Sequence, residues 1–147
     1  MSTPFELVAY TLNHFQPDIP VYRENQKDGT LKFPSFFVQQ LATQAHGKVS
    51  DEQIRRYNFD VVYLVDHTLQ IGSETPLHQI DKMSELALSE LEWLVNEDGK
   101  PVSGLKNLST EIQNGDLHIF FSFVTRMGKE DEGTKMASMQ QKGELNG

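Results

Sequence analysis

The pair Asn114-Gly115 forces the chain to double back. A two-residue type I′ turn needs positive φ at both central positions, and Asn-Gly supplies that at little steric cost. On its two sides run LKNLSTEIQ and DLHIFFSFVTR, which the turn joins as antiparallel strands. In the second arm Leu117, Ile119, Phe121 and Phe123 share one face, while His118, Phe120, Ser122, Val124 and Arg126 share the other. The first is a core face. The second is mixed, and a half-exposed histidine belongs on it. RRYNFDVVYLVD alternates in the same way, with Tyr57, Phe59, Val61, Tyr63 and Val65 opposed to Arg56, Asn58, Asp60 and Asp66. Half-buried antiparallel strands carry this pattern, whereas doubly buried parallel strands do not.

Helices precede each of these regions. Thr3-Pro4-Phe5-Glu6 combines a cap residue, a proline at the first helical position and a glutamate three residues beyond the cap. This capping box predicts a helix over about 4–15, with Phe5, Val8, Ala9, Leu12 and Phe15 on its apolar stripe and Pro17 and Pro20 beyond its end. A short extended piece, Ile19 to Arg23, then leads into the turn ENQKDG. FPSFFVQQLATQA reads as a strand opened by a proline, followed by a loop around 46–53. Thr75 and Pro76 open a second helix whose stripe is Ile80, Met83, Ala87, Leu91 and Leu94, widened by Ser84, Leu88 and Val95, with Asn96 to Gly99 as its stop. Leu86 and Trp93, seven residues apart, then project together from the flank of that helix, where covering a sheet does not require them. From Gly128 the chain is charged and glycine-punctuated, which predicts a mobile tail over 128–147 behind a single domain over 1–127.

Composition excludes several classes of function. The formal net charge is -8. Residues 51–100 hold most of the excess, with four basic against eleven acidic side chains. Phosphate binding needs clustered Lys and Arg, so this is not the pattern of an ordinary nucleic-acid binder. No apolar stretch is long enough for a helical membrane span, and MSTPFELVAY lacks the pattern of a signal peptide. The absence of cysteine removes disulfides, thiolate metal sites and cysteine nucleophiles, and fits a reducing compartment. The five histidines, His14, His46, His67, His78 and His118, show neither the i, i+4 helical pairing nor the HxH strand pairing of metal sites. His67 and His78 flank a loop without a spacing that assigns them partners. No nucleophile elbow, phosphate-cradling loop or dinucleotide fingerprint is present. Sequence chemistry therefore predicts no catalytic, cofactor-binding or metal-binding residues.

The element order predicts an α+β fold: a small antiparallel or mixed β-sheet with two helices packed on one face. The other face carries Arg56, Asn58, Asp60, His118 and Phe120, too mixed for a second core and apolar enough to meet a partner. The candidate interface set is thus Arg56, Asn58, His118 and Phe120, with Leu86 and Trp93 on the helix flank. For the last pair a covering loop around 46–53 is the alternative to a partner.

FPSFFVQQL, RRYNFDVVYLV, MSELALSELEWL and NGDLHIFFSFV, in this order and spacing, resemble the tail terminator proteins of long-tailed bacteriophages and prophages, also called tail completion or tail-to-head joining proteins. The resemblance runs from about Thr3 to Arg126, and its most telling pieces are Arg56 to Asp60 and Gly115 to His118. It implies a virion structural protein, not an enzyme and without a cofactor, which forms a ring, hexameric in this family, at the tail–head junction. The implied partners are further copies of the chain, the tail tube protein and the head connector or head-closure protein. Assembly would take place in the host cytoplasm. DNA would pass through the lumen without specific binding, and no membrane is involved. In such a ring some of Asp81, Glu85 and Glu92, or Asp60 and Asp66, would line or border the channel, the alternative being that they solvate the outside. Two other functions remain open: another neck component, such as a head-closure or adaptor protein, and a small enzyme that uses the mixed sheet face as its pocket.

Overall fold

The computed structural model describes residues 2–23, 32–49, 52–68 and 74–128. The turn ENQKDG and the tail from residue 129 lie outside these. Helix α1 spans Pro4–Phe15 and begins as its sequence dictates: Thr3 Oγ1 accepts from the Glu6 amide at 3.2 Å, and the Thr3 amide donates to Glu6 Oε1 at 2.9 Å. Strands β1 (Val21–Arg23), β2 (Ser35–Val49) and β3 (Glu52–Leu64) follow. Next come helix α2 (Pro76–Glu90), β4 (Trp93–Val95), β5 (Pro101–Gly104), β6 (Lys106–Gln113) and β7 (Asp116–Gly128). Five strands form one mixed sheet in the order β1-β2-β3-β7-β6, while β4 and β5 pair separately.

By compactness the chain divides into two units. The first comprises residues up to Ala42 together with Tyr57–Phe123. Its core is built from alternation: Phe36 and Val38 of β2, Tyr57, Phe59, Val61 and Tyr63 of β3, and Leu117, Ile119, Phe121 and Phe123 of β7. Against them pack Val8 and Leu12 of α1 and Ile80, Met83 and Ala87 of α2, so both helices cover one sheet face. Tyr57 meets Phe123 with ring centroids 5.5 Å apart, and Phe59 meets Phe121 at 6.2 Å. Ascending numbers on β3 meet descending numbers on β7, so these central strands are antiparallel. β1 and β2 pair in parallel, with Val21 opposite Phe36.

The hairpin at Asn114-Gly115 forms with φ of 53° and 83°, the positive values its turn type demands. The second helix departs from the sequence expectation. It begins at Pro76 under the Thr75 cap but stops at Glu90, because Leu91 is already extended (φ -81°, ψ 113°). Trp93-Leu94-Val95 is a strand instead, antiparallel to β5. The β-favouring side chains of this stretch outweigh helical spacing once two tertiary bonds are available. The Val95 amide donates to Thr11 Oγ1 at 2.9 Å, and the Leu105 amide donates to the Glu92 carbonyl at 2.9 Å. Asn96 closes the β4–β5 turn, its Oδ1 accepting from the Asp98 and Lys100 amides at 2.9 and 3.0 Å. Leu91 and Leu94 are buried as the stripe requires, but Leu94 is buried from a strand.

Of the second unit the described residues are 43–49, 52–56 and 124–128, all of them strand. Within the loop expected around 46–53, residues 46–49 are instead the end of β2 and 52–53 the start of β3. Here the Arg55 Nε donates to Gln53 Oε1 at 2.7 Å.

Candidate functional site

Alternation places Asn58, Asp60 and Val62 of β3 on the sheet face opposite the helices, together with His118, Phe120 and Ser122 of β7. The sequence gives this face correctly but misses how enclosed it is. Asp60 is 7% exposed, Val62 7% and Ser122 2%. Asp60 and His118 meet across the two strands, with His118 Nδ1 3.0 Å from Oδ1 and 2.9 Å from Oδ2 of the carboxylate. A carboxylate only accepts, so Nδ1 carries the proton and donates, which fixes the tautomer and the plane of the ring. Phe120 stacks on the imidazole with centroids 6.0 Å apart and an interplanar angle of 18°. Sequence pattern alone could not pair Asp60 with His118, since their partnership depends on the register between β3 and β7.

Around this pair the polar groups are mutually satisfied. Asn58 Nδ2 donates to the Ala42 carbonyl at 2.7 Å. Asn107 Nδ2 donates to Ser122 Oγ at 3.4 Å, and the Ser122 hydroxyl donates in turn to the Lys106 carbonyl at 3.4 Å. A small cavity of about 190 Å³ lies among Leu41, Asn58, Asn107, Phe120 and Ser122, and neither His118 nor Asp60 lines it. A hydrolytic dyad would need its imidazole turned toward a substrate pocket and a nucleophile. Here the pair acts as a cross-strand tie beside a small depression of mixed lining, with Leu41 and Phe120 next to Asn58, Asn107 and Ser122.

Two of the other candidate residues, Leu86 and Trp93, do not join this face, and Arg56 is half-buried within the second unit. Leu86 is half-buried on α2, and Trp93 is 49% exposed on β4. These two do not share a helix, so the paired flank expected from their seven-residue spacing is not formed. The Trp93 ring lies beside Gly104, where a Cβ would come within 3.9 Å of it. Trp93 also borders a groove of about 300 Å³ with His14, Phe15, Glu90 and Glu92. His14 reaches the Glu97 carbonyl at 3.2 Å and packs beside Gly99, which ties the end of α1 to the β4–β5 turn. The remaining described histidines of the first unit are likewise engaged locally: His67 with Asp116 at 3.4 Å and His78 with Glu74 at 3.8 Å. Among the described residues no three His, Cys, Asp or Glu side chains converge as a metal site would require.

Three acids and phenols depart from their ordinary pKa. Hydrogen bonds from Thr68 hold the Asp66 carboxyl low, and a hydrogen bond from Lys82 at 2.7 Å does the same for Glu74. Burial, with a smaller contribution from the Glu74 charge, pushes the Tyr63 phenol up. All three lie outside the Asp60–His118 face.

Among known proteins, the family model described as phage tail terminator protein matches residues 6–135, from the first turn of α1 past the end of β7. No curated protein matches the chain.

Proposed function

From the premise that this chain belongs to the phage tail terminator family, a structural and not an enzymatic family, we propose that it forms a ring, hexameric in number, that caps the tail tube. The ring ends polymerisation of the tube and presents its free surface to the head connector or head-closure protein. It sits at the tail–head junction of the virion after assembly in the host cytoplasm, and DNA passes through its lumen.

The observation that carries this reading is the extent of the family match, which spans nearly every described element. The structure supports it in kind. Large apolar side chains left exposed around the fold suit docking.

Electron microscopy tests it in two steps. Purified protein in negative stain is expected to show rings. Tails assembled without the protein are expected to have abnormal lengths, and adding it back should restore uniform ones. Tails of normal length that fail to join heads would instead identify a head-closure or adaptor protein.

A further inference from the structure

A closed ring of identical subunits joined head to tail needs two different surfaces on each copy, placed on opposite flanks. Among the described residues the five-stranded sheet ends in β1 on one side and β6 on the other. Each edge is accompanied by a distinctive surface, and the two differ in shape and charge.

On the β6 side, α2 lies against the edge strand through Ser84 and Thr110, whose hydroxyl oxygens are 2.8 Å apart. Helical spacing from Ser84 puts Leu88 one turn on and Leu77 two turns back along the same flank. Ile112, two residues beyond Thr110, faces the same way from the strand. Leu77 is 59% exposed, Leu88 46% and Ile112 47%. They form a ridge in which Asp81 and Ser84 stand between Leu77 and Leu88, along an eight-residue edge strand that carries a register shift between Lys106 and Ser109. Exposed Asp81, on this ridge, and Glu85, beside it, give it negative charge.

On the β1 side there is a groove instead. It holds about 570 Å³ between α1 and β1, lined by Ala9, Tyr10, Ile19 and Val21, with Asp18 and Lys32 among its charged groups. Arg23, at the end of β1, adds a second cation over the Phe5 ring, 4.7 Å from its centroid. The ridge carries negative charge, while the groove's own lining holds Lys32 and Asp18, with Arg23 next to it at the end of β1.

We propose that the α2–β6 ridge of one copy seats in the α1–β1 groove of the next, so that Leu77, Leu88 and Ile112 form the contact that closes the ring. This rests on the ring reading above and assigns its subunit interface. The occupant of the groove is a second copy of this chain, because the complementary ridge lies at the opposite end of the same sheet.

The test uses two full-length variants, each altered on one flank. Leu77→Glu/Leu88→Glu spoils the ridge, and Ala9→Glu blocks the groove. All three substitutions are compatible with helix, and circular dichroism checks the fold. Sedimentation velocity is expected to show each variant alone as a monomer, at concentrations about tenfold or more above those at which the unaltered protein forms rings. Mixed in equal amounts, the two should form a heterodimer and go no further, because one intact ridge and one intact groove remain. Dimers of the groove variant alone would mean that ridges pair with each other, and rings from either variant would place the interface elsewhere; both results overturn this assignment while leaving the ring intact. An unaltered protein that stays monomeric at every concentration would overturn the ring itself. Should the double variant fail to fold, Leu88→Ser alone is expected to raise the ring-forming concentration, and no shift would count against the ridge.

Discussion

Tyr63 shows how one buried residue sets a limit on the conditions the fold tolerates. Its ring lies in the core 5.6 Å from that of Phe36, and burial raises its phenol above the ordinary 10.0. The neutral form is the one the fold prefers. Below pH 10 both folded and unfolded chains hold the proton, and the contribution is fully present. Above pH 10 the unfolded chain releases it first, so stability falls as pH rises. Tyr63→Phe should flatten the decline in melting temperature between about pH 10 and 11 relative to the unaltered protein, at a small cost at neutral pH. An unchanged slope would mean that Tyr63 ionises freely in the fold. On the acid side the signs reverse. Asp66 and Glu74, held low by their hydrogen bonds, contribute stability above the ordinary carboxylate range that is lost as pH falls below it. The same scale shows where sequence reading stops. Alternation put Asp60 and His118 on the right face, but the degree to which neighbouring strands enclose Asp60 is a property of register, which no single strand encodes.

Among the elements, those whose ends are chemically marked were legible to the residue. The Thr3 capping box begins α1, and Asn114-Gly115 turns β6 into β7. Gly115 adopts φ of 83°, so Gly115→Ala is expected to cost about 1–2 kcal/mol, read from denaturant unfolding. A neutral result would show that the turn can switch type. The end of α2 carried no such mark. Leu91 and Leu94 satisfy a helical stripe and can equally be buried from a strand, and the choice was made by Thr11 of α1 accepting the Val95 amide 84 residues away in sequence. Thr11 itself is buried because its hydroxyl also donates to the Leu7 carbonyl at 2.8 Å. A turn signal was nevertheless available, since Asn96 to Gly99 lies between WLV and PVSG, two runs able to pair. The resulting strand separates two neighbours sharply. Leu94 is wholly buried, so Leu94→Ala should cost about 2–5 kcal/mol of stability. Trp93 points outward, so Trp93→Ala should leave melting and circular dichroism near the unaltered values. A loss of ring assembly in that variant, with folding intact, would make Trp93 a second contact, worth about 2–4 kcal/mol. Unfolding would return it to the core.

At the scale of the whole molecule the question is where the acidic charge goes when copies assemble. The chain carries -8, concentrated in residues 51–100, and a ring multiplies that charge. Not all of the candidate acids remain available to face a channel. Asp60 is enclosed and bound to His118. Asp66, half-buried, keeps its charge under the hydrogen bonds from the Thr68 amide and hydroxyl at 2.9 and 2.6 Å and stays a candidate. Asp81 and Glu85 lie on and beside the ridge assigned to the subunit contact. Glu92 is exposed, between the end of α2 and β4, and is the acid best placed to test a lumen role. A carboxylate on the channel wall repels the DNA backbone, whereas a lysine there binds phosphate and releases counterions. Glu92→Lys is therefore expected to leave ring formation and tail length unchanged while slowing DNA ejection from assembled particles. The delay should shrink as salt is raised, because each phosphate neutralised contributes a log–log salt slope of about -0.9. Ejection that proceeds at the unaltered rate at low salt would place Glu92 on the outside of the ring, where its charge serves only solvation.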